Sequence, residues 1–407
     1  MAEKIVIVGC GQAGGQTAIS LRQKGYMGAI TLIGDEQYIP YERPHLSKKF
    51  LMGSVDLERT FMRPKEFYTD KDIDLILNTR VDGINRDTRS ITLSGGETIQ
   101  YSHLVLATGA LVQRLSCPGD TLEGIHYLRT IDDVLGFRDL LTNETNLVVV
   151  GGGYLGLEVA SVGRKRGCNV TVLEKQSTVM NRVVAPAISH FYESVHHSNG
   201  VDIQKNVTIT AFEGSRCVER VICSDGKAHP ADVVVVGIGI IPNTELALKA
   251  GLNVDNGISV DIFTRTSDCN ILAVGDCTNH PNKLIGQRLR LESVQNALSQ
   301  GKAAAAAIAM VPKPYIEIPW FWSDQYNLKL QMVGLPDPDD VVVLRGSMTD
   351  HSFSACYVRN NVLVAVHAIN RPKDFIQAKK LIVMKTEIDV KRLADSDLSL
   401  NNLVSLQ

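Results

Sequence analysis

A chain of 407 residues is too long for one ordinary hydrophobic core, so two or three domains are expected. Hydrophobic residues at 44% and charged residues at 21% exclude an intrinsically disordered chain. The formal net charge of -2, from 42 basic and 44 acidic residues, supplies no field for nucleic acid or an anionic membrane, and neither is expected as a partner. Apolar runs such as Val233–Ile241 and Ala303–Val311 are far too short to span a bilayer. The opening Met1-Ala2-Glu3-Lys4 passes directly into Ile5–Val8, which predicts no signal peptide and a soluble, cytoplasmic protein. Eight cysteines without a CxxC and ten histidines without an HExxH predict neither a disulfide framework nor a metal site.

In chain order, Lys4–Val8 reads as a buried strand, followed at once by Gly9-Cys10-Gly11-Gln12-Ala13-Gly14. A helix to about Lys24, a stop at Gly25 and a second strand over Ala29–Ile33 complete the unit. Leu104–Ala107 is a further strand, ending in Thr108-Gly109. The opening pattern then repeats: strand Leu147–Val150, turn Gly151-Gly152-Gly153-Tyr154-Leu155-Gly156, a helix to about Arg166, Gly167, and strand Asn169–Leu173. This internal repeat of a dinucleotide-type βαβ unit organises the chain. Asp232–Val236 and Asn270–Val274 are strands that end in glycine-bearing turns, and an alanine-rich helix spans roughly Glu292–Ala309. Beyond Pro314 the texture changes to alternating strands. Phe353–Val358 and Val362–Val366 flank Arg359-Asn360-Asn361 as a hairpin, and Asp374–Met384 reads as helical.

The glycines carry a physical argument. The first makes the tight turn, the second clears space for a pyrophosphate, and the third lets helix and strand pack closely, with free N–H groups at the helix start. Each copy has its strand before and helix after, with acids at the expected distance. Asp35 and Glu36 follow Gly14 by 21 and 22 residues, and Glu174 follows Gly156 by 18. A carboxylate at Glu174 accepts ribose hydroxyls and repels a 2′-phosphate, which favours NADH over NADPH; Lys175 and Arg182 soften that preference.

The chain resembles the flavin-dependent NADH:ferredoxin reductases of bacterial oxygenase systems, in the pyridine nucleotide-disulfide oxidoreductase superfamily. The resemblance rests on Gly9–Gly14, Tyr41–Lys48, Ala107-Thr108-Gly109, Leu128-Arg129-Thr130, Gly151–Glu158, Asn181–Pro186, Gly239…Pro242-Asn243, Val274-Gly275-Asp276 and Pro319–Gln325. It implies an α/β fold with two Rossmann-like dinucleotide-binding domains, for FAD and NAD, and a small α+β C-terminal domain. The FAD domain is expected at 1-110 and 246-318, the NAD domain at 111-245 and the C-terminal domain at 319-407. The resemblance places FAD on Gly9, Gly11, Gly14, Asp35, Arg43, Lys48, Ala107, Arg129, Asp276, Val294 and Trp322. It places NADH on Gly151, Gly153, Gly156, Glu158, Glu174, Arg182 and Gly239.

Lys48 and Glu158 match a pair that sits beside the flavin in relatives. A lysine there stabilises negative charge on the reduced ring, and a carboxylate holds the lysine in place. Disulfide reductases of the group carry CxxxxC near the first unit, where Leu46-Ser47-Lys48 stands here; no redox disulfide is expected. The implied activity is electron transfer from NADH through FAD to a [2Fe–2S] ferredoxin, which supplies a terminal oxygenase. A rubredoxin reductase or NADH oxidase is the alternative of the same class. A redox-switch interaction protein resembling apoptosis-inducing factor is the alternative of another. Arg288, Arg290, Lys313 and Lys329 are candidates for a basic face towards an acidic ferredoxin.

Overall fold

The computed structural model describes residues 3–404, so Met1 and Ala2, part of the signal-peptide expectation, lie outside the described residues. The chain divides into two compact units. One comprises Met1–Glu42, Leu57–Leu111 and Ile241–Pro319; the other comprises Arg43–Asp56, Val112–Ile240 and Trp320–Gln407. The short stretch Arg43–Asp56 therefore packs with the second unit although it interrupts the first.

The first unit is built on a five-stranded parallel sheet, in the order Ile271–Ala273, His103–Leu106, Lys4–Val8, Ala29–Ile33 and Ile73–Ile76. Its strands are continuous apolar runs because both faces are covered. Ile5, Ile7, Ile30 and Leu32 are buried together with Ala304, Ala305 and Ile308 of the helix Val294–Ile308. Each such aliphatic side chain contributes about 1.5–3 kcal/mol on burial. The helices Gln12–Gln23 and Val294–Ile308 pack against each other through small residues. A Cβ on Gly301 would lie 2.9 Å from the Ala13 carbonyl oxygen, so no larger residue fits there without movement.

The second unit holds the second parallel sheet, in the order Val201–Lys205, Asn169–Glu174, Asn146–Val150, Val233–Val236 and Ile125–Tyr127. The two sheets share one register around their glycine turns. Val8 pairs with Ile33 and Val150 with Leu173; Gly9 N–H donates to Ile33 and Gly151 N–H to Leu173, each at 2.8 Å. The predicted strands and helices of both copies are present, with ends shifted by one or two residues.

The same unit carries a five-stranded antiparallel sheet of Trp320–Gln325, Leu328–Gly334, Val362–Ile369, Ser352–Arg359 and Val341–Ser347. The helix Pro372–Met384 packs on it through Phe375, Ala378, Leu381 and Ile382. The hairpin turn falls at Asn360-Asn361, with φ of 50° and 59°. Two consecutive left-handed residues give the turn whose twist matches its strands, and asparagine tolerates that region best after glycine. Arg345 is the largest fully buried side chain. It donates to Asp374 Oδ2 and to the carbonyls of Leu393, Asp395 and Leu398, which ties the C-terminal segment to the sheet. Among the described residues no helix is long and apolar enough to cross a membrane.

Candidate dinucleotide sites and a buried lysine–glutamate pair

The two glycine turns are close structural copies. Gly9 and Gly151 have φ of +114° and +105°, and a Cβ on either would lie 2.1 Å and 2.5 Å from the carbonyl oxygens of Ala107 and Gly237. A Cβ on Gly14 or Gly156 would lie 1.9 Å or 2.0 Å from the oxygen of Gly9 or Gly151. Both positions thus admit only glycine. Gly11 and Gly153 are the N-caps of the following helices; neither helix has a side-chain cap or an acid in its first turn. The orphan N–H groups are left for an anion. Among the described residues nothing lies within 4 Å of a Cβ built on Gly153, so they do not refill the space the second glycine clears. These turns fit a dinucleotide pyrophosphate.

The acids differ between the copies. Glu174 ends its strand, and its Oε2 accepts the Gly152 N–H at 2.6 Å while Oε1 accepts the Gln176 N–H at 2.7 Å. The carboxylate is thereby fixed at the strand end with lone pairs to spare for further donors. In the first copy the position in register with Glu174 is Gly34, packed against Cys10 so tightly that a Cβ would lie 2.4 Å from the Cys10 Cβ. Asp35 follows it and is exposed; Glu36, half-buried, accepts the Tyr41 hydroxyl at 2.6 Å.

Asp276 follows the strand Ile271–Ala273 in the turn Gly275-Asp276. The turn is held from the helix Val294–Ile308, where buried Gln300 accepts the Gly275 N–H at 2.7 Å and the Thr278 hydroxyl at 2.9 Å. Gln300 Nε2 and Asn296 Oδ1 are buried beside this turn without a partner among the described residues, which suits a polar ligand. Val294 opens the helix, and the Ser293 hydroxyl already accepts the Asn296 N–H. Ala107 is buried against Gly9. These residues all belong to the first unit.

The remaining expected residues belong to the second unit. Arg43 Nη1 donates to the Arg129 carbonyl at 2.5 Å. Gly239, at φ +121°, accepts the Gln113 N–H at 2.9 Å. Arg182 is exposed in the turn before the helix Pro186–Ser198. Trp322 is half-buried, its ring 5.8 Å from that of Trp320. Of the proposed basic face, Arg288 holds the carbonyls of Val260 and Asn279, and Arg290 is paired with Glu292. Both guanidinium groups are committed within the first unit, and the Arg290 charge is offset.

Lys48 and Glu158 meet. Lys48 Nζ lies 2.7 Å from Glu158 Oε2, and the two side chains are 18% and 5% exposed. Two hydroxyls complete the carboxylate: Ser47 donates to Oε2 at 2.5 Å and Ser323 to Oε1 at 2.6 Å. A buried carboxylate of this kind is tolerable only when paired and hydrogen-bonded, and removing one partner of such a pair costs about 3–5 kcal/mol. Behind Ser323 stand Gln325, 3.2 Å away, and His196, whose Nε2 lies 2.9 Å from Gln325 Oε1. Burial pushes the His196 imidazole down to about 4, so it is neutral. Ser47, Ser323, Gln325 and His196 are not among the expected site residues, although the first three lie in the segments Tyr41–Lys48 and Pro319–Gln325 that carry the resemblance. The available signal was strand alternation, since Ser323 and Gln325 occupy the buried face of Trp320–Gln325.

Two parallel sheets with matched glycine turns define a paired dinucleotide-binding protein. The pyridine nucleotide-disulphide oxidoreductase family model matches residues 3–301, and a reductase C-terminal model matches residues 320–404. The chain belongs to that oxidoreductase family, whose cofactors are FAD and NAD(H). It is 42% identical to the 5,5'-dehydrodivanillate O-demethylase ferredoxin reductase subunit of Sphingobium sp., covering 99% of this chain and 98% of the relative. It is 40% identical to putidaredoxin reductase CamA of Pseudomonas putida, covering 99% and 97%. Among solved structures, the reductase in a covalent putidaredoxin reductase–putidaredoxin complex aligns with a TM-score of 0.96 at 40% identity, covering 98% of both chains.

Proposed function

We propose that this enzyme passes electrons from NADH through FAD to a [2Fe–2S] ferredoxin, which supplies a terminal oxygenase in the cytoplasm. The observation that carries this reading is the buried Lys48–Glu158 pair, whose lysine lies in the segment where, by the resemblance, disulfide reductases of the group carry their thiols. Bound flavin supplies the conversion of a two-electron hydride into single electrons. The chain's own work is binding, orientation and charge.

Gly9, Gly11 and Gly14 open the first helix start to a pyrophosphate, and Gln300 holds the Gly275-Asp276 turn for the same cofactor. Gly151, Gly153 and Gly156 do the same for NADH, with Glu174 preset at the strand end for the ribose hydroxyls. Its negative charge disfavours a 2′-phosphate. Lys48 keeps a cation available where negative charge develops on reduction, and Glu158 restrains it at 2.7 Å. No general base is required for hydride transfer, so the neutral His196 raises no objection.

Stopped-flow reduction of the FAD-loaded protein by NADH tests the reading, followed by [2Fe–2S] ferredoxins with cytochrome c as reporter. Fast bleaching and ferredoxin-dependent cytochrome reduction are expected. Slow bleaching with a persistent charge-transfer band and no transfer to any ferredoxin would favour a redox switch instead.

A further inference from the structure

The hydrogen bonds behind Glu158 have a forced direction. A carboxylate only accepts, so the Ser323 hydroxyl must donate its proton to Oε1. Ser323 Oγ then accepts from Gln325 Nε2, which leaves Gln325 Oε1 as an acceptor facing His196. His196 must therefore carry its proton on Nε2, and its bare Nδ1 accepts the Tyr326 hydroxyl at 3.2 Å. Four side chains from a strand, a helix and a tight turn thus point their donors one way, towards a single buried carboxylate. Tyr326 is itself fixed, because its N–H donates to Ser161 Oγ at 2.8 Å on the helix that carries Glu158.

We propose that Ser323 is a positioning residue for the reaction, and that Gln325 and His196 set its direction. Ser323 holds Glu158 Oε1, so that Oε2 remains turned to Lys48 and Ser47. Without it Oε1 has lost its donor, and only the Oε2 contacts to Ser47 and Lys48 hold the carboxylate, so the orientation it imposes on the lysine is loosened. The inference rests on the reading that Lys48 and Glu158 act in flavin reduction. What the position requires is a hydroxyl donor to Oε1. Threonine keeps the hydroxyl; alanine removes it.

The test measures the first-order rate of flavin reduction at saturating NADH, the NADH dissociation constant, and the midpoint potential of the bound flavin. In Ser323→Ala the rate should fall about tenfold, the scale of one lost hydrogen bond to a charged group, with unchanged NADH affinity. The midpoint potential should fall as well, because Glu158 loses a compensating donor and Lys48 its restraint. Ser323→Thr should restore both within about twofold of the parent, since the donor returns. Gln325→Met, which leaves Ser323 in place but removes what orients it, should show the same signs to a smaller degree.

Parent rate and potential in both Ser323→Ala and Gln325→Met, with Glu158→Gln slow, would overturn the positioning role while leaving the pair's role intact. Parent behaviour in Glu158→Gln would overturn the reading of the pair, and this inference with it. A fall in melting temperature alone, with rate and potential unmoved, would make the chain of hydrogen bonds purely structural and overturn the proposal.

Discussion

The first and second strand–turn–helix copies agree at every glycine that shapes the turn and differ at two linked positions. In the second copy Gly152 gives its N–H to Glu174, and a Cβ there would lie 3.0 Å from the Glu174 Oε2. In the first copy Cys10 fills the turn and Gly34 makes room for it. The small and large residues have changed places across one contact. A turn with a side chain at its second position displaces the acid beyond the strand end; a turn with glycine there receives it. The offset of an acid from a glycine motif is therefore set by packing inside the turn, not by motif length alone.

The largest expected effect tests what the copies share. Gly14→Ala and Gly156→Ala each drive a Cβ to about 2 Å of a backbone oxygen, and each should cost more than about 4 kcal/mol, read from melting temperature and folded yield. A cost confined to one copy would break the equivalence.

Acid should separate the two units next. His280 in the first unit and His196 in the second are pushed down to about 4, and His367 in the second to about 3, all by burial. Their folded values lie below the unfolded value of about 6.5, so the unfolded chain binds more protons in the window between. Stability is therefore full above about pH 6.5 and is lost as pH falls towards 4, by up to about 1.4 kcal/mol per pH unit for each histidine. Burial lowers His103 in the first unit and His126 in the second as well, so with three such groups against two the second unit should lose hydrogen-exchange protection first on acidification. Loss from the first unit ahead of the second would contradict this.

A sharper test lies in the open space at Gly153. Gly153→Ala meets no protein atom, so the melting temperature should stay within about 1 °C, whereas NADH should bind about tenfold or more weakly by calorimetry. Unchanged binding would remove this turn from the nucleotide site. The smallest effect belongs to the acid. Glu174→Gln keeps an oxygen for the Gly152 N–H but removes the charge, and the NADPH-to-NADH preference should rise about tenfold, near 1.4 kcal/mol.

What the sequence disclosed follows the range of the forces involved. Strands, turns and their repeat were legible because apolar runs and glycine punctuation are local. Lys48 and Glu158 are 110 positions apart and became a pair only through a resemblance. Ser323 meets Glu158 across 165 positions and His196 meets Gln325 across 129, so nothing near either residue announces its partner. The strand Val341–Ser347 shows the reach of non-local packing most plainly. The apolar run Val341, Val342 and Leu344 is exposed at 60%, 40% and 37%, and the charged residue after it, Arg345, is 1% exposed. A guanidinium with one carboxylate and three carbonyls outcompetes valine for the interior, but only once the C-terminal segment has arrived.

The path of the chain between its units has a temporal consequence. The chain changes unit five times, at residues 42/43, 56/57, 111/112, 240/241 and 319/320. The first parallel sheet is closed on one side by Ile271–Ala273, which is made roughly 165 residues after its neighbour His103–Leu106. During synthesis that edge stays bare for roughly ten to thirty seconds at ordinary elongation rates. Over that interval the nascent chain presents an unpaired, apolar strand edge, so its yield in the cell should depend on whatever shields such edges until the last strand emerges.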